Sequence, residues 1–313
     1  MTLEGMMNGL SVIFWALVGI YAYPIAFLTG MTTIVSLLTL TYAGTAWKKR
    51  HPAKVGEAEP LYPYMHGVAV IWTYAMVWGY RALLSCTKYH NQKPWFDTSE
   101  PLLILSGHMG QLGTPKMAEV CHLEIKLPMA AAAKRYYQGS SLGNAAEKTD
   151  TFVYVDQGGG RNAAKDGASR AMRMLVPGTA IVILPEGHRP SLKWIKESIT
   201  KYPEYADHLV ESLHWRPGLI QSLVDEYNKP LKALVFYPVL RRRLWGGSAL
   251  KEFLLIPHIF CNWLHVLWEE ELVTFKPHDI EGTKKTLFKL SQNYEAFIAK
   301  VRRQGKKRRF LFW

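Results

Sequence analysis

The sequence predicts an α/β domain carried behind N-terminal membrane helices. Three observations lead there: residues 5–47 contain no charged side chain, short apolar runs alternate with polar helical segments between residues 102 and 240, and Pro- or Gly-containing turns close most of those runs. A chain of 313 residues is long enough for one or two domains with a sizeable core. Hydrophobic residues make up 49%, and the 11 Trp and 16 Tyr crowd near the apolar runs, as at a membrane interface. The 38 Lys and Arg against 25 Asp and Glu leave a net charge of +13, which suits anionic head groups, phosphorylated substrates or nucleic acid. Nucleic acid is set aside, because it leaves the uncharged N-terminal runs without a purpose. Cys86, Cys121 and Cys261 lie far apart with no Cys-x-x-Cys spacing, so neither a disulfide framework nor a zinc site is indicated and a reducing compartment is expected.

Taken in order, residues 5–47 would make roughly 65 Å of helix, twice a hydrocarbon core. Pro24 and Gly30 near the middle fit either a hairpin of two short helices or one kinked spanning helix with an interfacial lead-in. Trp47, Lys48, Lys49, Arg50 and Lys54 form an aromatic and basic collar of the kind that marks the cytoplasmic side. Residues 60–80 are again uncharged, with Trp72 and Trp78 spread along the run, and read as an interfacial or shallowly embedded helix. Residues 88–100 turn polar and read as a linker. The chain thus divides into membrane-anchoring helices over 1–87 and an α/β domain over 88–313.

Within that domain a strand is expected at 102–105, broken by the small residues of 106–110. Helices are expected at 115–126, with Pro115 in the first turn, and at 130–137. A strand at 152–155 closes in Asp156 and the glycine-rich loop 157–162, and a helix follows over 163–176. The strand 180–184 runs straight into Pro185, Glu186, Gly187, His188 and Arg189. A buried strand that ends on a carboxylate and a guanidinium is a poor way to build a core. It is a good way to build a site, since ligands collect at the carboxyl ends of strands in open α/β sheets and Arg holds phosphate bidentately. A helical stretch follows Ser191, then a helix at 219–227, a strand at 231–240 containing Pro238, and Arg241, Arg242 and Arg243. Residues 253–268 are apolar and aromatic, either buried or a second membrane contact. A last strand is expected at 273–275 and an amphipathic helix at 282–301. The basic, aromatic tail 306–313 is either an anionic-membrane contact or a solvated end.

His108 after the first strand, the loop from Asp156 to Asn162 after the second, and Glu186, Gly187 and Arg189 after the third stand in an order and spacing that resemble the glycerolipid acyltransferases of the lysophosphatidate acyltransferase type. The resemblance runs over about residues 101–240 and is densest over 152–191. The family's third block reads Phe-Pro-Glu-Gly-Thr-Arg-Ser, and here it is Leu184-Pro185-Glu186-Gly187-His188-Arg189-Pro190-Ser191. Arg216-Pro217-Gly218 resembles the later basic-x-Gly element, and residues 235–239 the final Pro-containing strand.

The resemblance implies a mixed sheet flanked by helices and a membrane-bound enzyme with its α/β domain on the cytosolic side, in the endoplasmic reticulum if the organism is eukaryotic. It implies transfer of a fatty acyl group from acyl-CoA or acyl carrier protein to the hydroxyl of a glycerolipid acceptor such as lysophosphatidic acid, with no cofactor and no metal. His108 would be the general base, and the backbone of 107–113 would hold the oxyanion. Arg161 and Arg189 would hold the acceptor phosphate, and Glu186 with Gly187 would line the same site, Glu186 positioning Arg189 or binding an acceptor hydroxyl. Three positions depart from the pattern. The family's His-x4-Asp has Gly113 where the aspartate belongs, Gln157 follows Asp156 where Arg is usual, and His188 replaces the usual Thr. Glu119 or Asp156 are the nearest carboxylates that could replace the missing partner of His108. A relative that keeps the fold and binds membrane lipid with little or no catalysis is the alternative reading.

Overall fold

In the computed structural model the chain is described over residues 3–55, 70, 73–74, 87–91, 97, 99–108, 119–135, 138–156, 160–188, 190–241, 264–268 and 272–307. Gly113, Arg189, nearly all of 60–80 and all of 253–263 lie outside those residues.

The N-terminal apolar run forms one 48-residue helix, α1 (Leu3–Arg50), with Pro24 inside it, so of the two forms open from the sequence the continuous helix is the one adopted. Its segment Ala16–Arg50 is long and apolar enough to cross a membrane, and Leu17, Ile20, Phe27 and Leu38 stand exposed along it. The C-terminal end of α1 packs against helix α2 (Ser141–Lys148). Gly44 makes the approach possible, because a Cβ there would come within 2.5 Å of the Lys148 carbonyl oxygen. One turn on, Lys48 donates to Glu147 O at 3.1 Å and pairs with Asp150 at 3.0 Å. Lys48 was expected in a basic collar of the kind that marks the cytoplasmic side; its ammonium is turned into the protein.

Among the described residues the sheet has eight strands: β1 (Thr87–Tyr89), β2 (Leu102–Ser106), β3 (Met129–Lys134), β4 (Phe152–Val155), β5 (Ala180–Ile183), β6 (Leu231–Leu240), β7 (Leu264–Trp268) and β8 (Val273–Phe275). Their order is β1-β7-β6-β2-β5-β3-β4, with β8 on β6 beside β7. The five strands β6, β2, β5, β3 and β4 run parallel, while β7 and β8 pair with β6 antiparallel, so the sheet is mixed. Parallel strands covered on both faces should be apolar throughout, and β2, β5 and β6 are nearly so. Leu103, Leu105, Ile181, Ile183, Val235 and Tyr237 face three helices, α3 (Gly160–Met172), α5 (Gly218–Tyr227) and the C-terminal α6 (Ile280–Lys307). The alternate residues Leu102, Ile104, Val182, Leu234 and Phe236 face a short π-type helix, Val120–Ile125. Helix α4 (Leu192–Lys201) follows β5, capped by the Ser191 hydroxyl, which accepts from the Trp194 amide.

Several expected elements change. Within 130–137, rich in alanine and so read as helix, residues 130–134 belong to strand β3 instead, and 136–137 lie outside the described residues: pairing with both β5 and β4 outweighs a propensity advantage of a few tenths of a kcal/mol per residue. Of the expected helix 115–126 residues 119–126 are described, and Val120–Ile125 there is of π type. Helix α3 begins at Gly160 and ends at Met172, earlier at both ends than the expected 163–176. The polar stretch read as a linker opens with edge strand β1, which pairs parallel with β7.

Candidate active site

Crossover connections place the ends of β2 and β5 side by side, since Leu105 is paired with Ile183. The segment after β5 is a tight turn in which the Gly187 amide donates to Leu184 O at 3.0 Å. Pro185 fits its second position, and Gly187, at φ +68, supplies the left-handed backbone that ends it. That turn drives Glu186 inward. Its side chain is fully buried, and its two oxygens accept backbone amides from two other segments: Oε1 from His108 at 2.7 Å and Oε2 from Leu213 at 3.0 Å. Glu186 was expected to position Arg189, which lies outside the described residues, or to bind an acceptor hydroxyl; in the fold it is a strut that fixes the backbone of His108 to the loop before α5. Burial pushes its carboxyl up to about 8, and the charge of Glu295 adds to the rise, against the opposing pull of the two amides.

His108 itself lies half-buried beyond the end of β2. Gly107 before it donates to Phe236 O at 3.3 Å. With the His108 amide held by Glu186, both described amides of the stretch expected to hold an oxyanion are already engaged. The Tyr294 ring lies across Gly107, and its hydroxyl donates to Pro238 O at 2.9 Å, in the part of β6 that extends past the end of β2. A Cβ at position 107 would overlap that ring. Gly107→Ala is therefore expected to cost about 1–3 kcal/mol through overpacking, measured by urea unfolding, and to displace His108; a variant as stable as wild type would contradict the close packing.

The other sequence candidates distribute unevenly. Asp156 pairs with Arg135 at 2.7 Å, both partly exposed, after the edge strand β4. With β5 and β3 between β4 and β2, it stands about 14 Å across the sheet from the end of β2. Asp156 therefore does not orient the His108 ring. Glu119 is buried at the start of the π-type helix and remains the carboxylate to consider. Arg161 sits in the first turn of α3, at a helix N-terminus and not in a loop. His188 stacks on Trp194, with centroids 4.2 Å apart and planes at 12°.

Sequence reasoning missed three contributors. Arg216 is exposed, its guanidinium lies against Gly187, and its amide donates to Pro185 O at 3.0 Å, so it presents a cation beside the Glu186 turn. Only its place in an Arg-Pro-Gly turn hinted at this. Leu213 contributes a backbone amide, which no side-chain pattern reveals. Glu295 on α6 holds residues 210–212 from below.

The ionisable groups set opposite pH limits on stability. Burial lowers His214 and His265 to about 4, with nearby cations contributing to both and His90 to His265 as well, and burial also lowers His90 and His208. Each is neutral in the fold, so its contribution is full above the ordinary value of 6.5 and is lost as pH falls through the folded value. Glu186 is raised, so its contribution is full below 4.5 and is lost as pH rises through about 8. Two strongly shifted histidines outweigh one carboxyl on the acid side. Urea midpoints are expected to peak near pH 6.5 and fall toward about pH 5 and about pH 8.5; a monotonic rise would remove Glu186 from the account.

No family model matches the chain, and no curated protein does. Among solved structures it is similar to the 1-acyl-sn-glycerophosphate (LPA) acyltransferase PlsC from Thermotoga maritima, at 10% identity and a TM-score of 0.49, over 92% of this chain and 97% of that one.

Proposed function

We propose that this protein is a membrane-bound O-acyltransferase. It moves a fatty acyl group from a thioester, acyl-CoA or acyl carrier protein, to the hydroxyl of a phosphate-bearing glycerolipid such as lysophosphatidic acid. The observation that carries the reading is the fixing of His108 at the end of a central strand by the carboxyl of the neighbouring Pro-Glu-Gly turn. An imidazole so placed can take the proton of the attacking hydroxyl as the new O–C bond forms and the C–S bond breaks, then return it to the departing thiolate. Arg216 beside Gly187, with Arg161 and Arg189 as further candidates, supplies charge for the acceptor phosphate. The apolar, exposed length of α1 supports a membrane location, with the α/β domain on the cytosolic side where an acyl-CoA donor is found.

The test is transfer of labelled acyl from acyl-CoA or acyl carrier protein to a panel of lysophospholipids and glycerol phosphate by purified protein in liposomes. Transfer to a phosphate-bearing acceptor is expected. Lipid binding without transfer to any acceptor would favour the second reading, a lipid-binding relative without catalysis, which the glycine at position 113 speaks for.

A further inference from the structure

Helix α6 holds the segments around His108 through three of its side chains. Tyr294 packs on Gly107 and donates to Pro238 O. Arg302 pairs with Glu211 at 2.8 Å and donates to Leu240 O. Between them, Glu295 is buried, and its Oε1 accepts three successive amides, Val210 at 2.9 Å, Glu211 at 2.7 Å and Ser212 at 2.6 Å, together with the Ser212 hydroxyl at 2.8 Å. Successive amides converging on one point form an anion-binding nest. Here the anion is part of the chain, and a carboxylate removed from water requires donors of this kind.

The next amide in line does not join the nest. Leu213 donates to Glu186, and the other oxygen of Glu186 takes the His108 amide. Four consecutive amides, 210–213, are thus divided between two buried carboxyl groups, one on α6 and one in the turn after β5. The geometry is a relay: wherever Glu295 sets residues 210–212, Leu213 follows, and Glu186 and the His108 backbone follow Leu213. The two carboxyl groups also interact directly, since the charge of Glu295 raises Glu186.

We propose that Glu295 is a positioning residue for the His108 site, acting through residues 210–213 and Glu186. Its catalytic consequence rests on the acyltransferase reading above; the mechanical coupling does not. Full-length protein in detergent is compared with Glu295→Ala and Glu295→Gln by hydrogen exchange over peptides covering 102–108 and 209–214, well below each melting point, and by acyl transfer across pH. In Glu295→Ala, exchange is expected to rise at 210–213 and also at His108, there by roughly five- to tenfold, the equivalent of one weakened buried hydrogen bond.

Glu295→Gln keeps an acceptor oxygen and loses the charge. It is expected to retain most of the protection, to lower kcat with KM held, and to move the alkaline limb of the kcat profile to lower pH, which a merely structural residue would not do. Free exchange at 210–212 with the His108 amide as protected as in wild type would overturn the proposal. Should Glu295→Ala not fold, an unmoved alkaline limb together with wild-type protection at His108 in Glu295→Gln would overturn it. Should the wild type transfer no acyl group, the acyltransferase reading falls and the exchange data alone decide the coupling.

Discussion

Glu186→Ala is expected to be the most damaging single substitution in the chain. It strands the buried amide of Leu213 and the partly buried amide of His108. At about 1–3 kcal/mol for each orphaned group the loss is about 2–6 kcal/mol, against a total stability on the order of 5–15 kcal/mol for a typical domain. The deletion also leaves a void where a fully buried side chain stood. Glu186→Gln separates the contributions. A protonated carboxyl oxygen still accepts through its remaining lone pair, whereas an amide nitrogen does not, so Gln satisfies one of the two backbone donors and opposes the other. The expected order of stability is wild type, then Gln, then Ala, read from urea midpoints near pH 6.5. Glu186→Ala as stable as wild type would mean that the two amides find other acceptors.

The second large effect is on catalysis. His108→Ala is expected to leave the urea midpoint close to wild type, because the side chain is only half-buried at a strand end. It should lower kcat by about 10²–10⁴, the usual share of a positioned general base. KM for the phosphate-bearing acceptor should hold, since the cations assigned to the phosphate are untouched. Transfer within a few-fold of wild type would remove the imidazole from the reaction. The contrast between the two variants is informative: Glu186→Ala should lose stability and activity together, His108→Ala activity alone.

The legible and illegible parts of the fold differ for physical reasons. The expected strands at 102–105, 152–155, 180–184, 231–240 and 273–275 are all present, and at 102–105, 180–184 and 231–240 the reason is plain: short, near-continuous apolar runs closed by Pro, Gly or charged residues suit strands of the parallel sheet that are buried on both faces. The alanines of β3 misled, since their helical preference is a property of the isolated chain and their pairing with β4 and β5 is not. Helix α2 was overlooked: Gly143 and Asn144 are poor helix formers, and its start depends on the Ser140 hydroxyl accepting the Gly143 amide.

At the site, the Pro-Glu-Gly turn announces itself by composition. The partners of Glu186 do not, because they are backbone amides 78 and 27 residues away. Asp156 looked near His108 only while the strand order was unknown; β4 follows β3 in sequence but lies at the edge of the sheet. Glu295, midway along an amphipathic helix, is indistinguishable in sequence from a solvated polar residue.

The contact of Gly44 and Lys48 with α2 has a mechanical meaning. A tether leaves its cargo free to tumble through a volume, whereas a strut transmits orientation. A helix that meets its neighbour through a glycine and a largely buried ion pair belongs to the second kind. Whatever tilt the surroundings impose on α1 is therefore passed to the sheet and to the strand ends that carry His108 and Glu186. The orientation of that edge relative to α1 is set by the angle of one long lever and not by the length of a flexible leash.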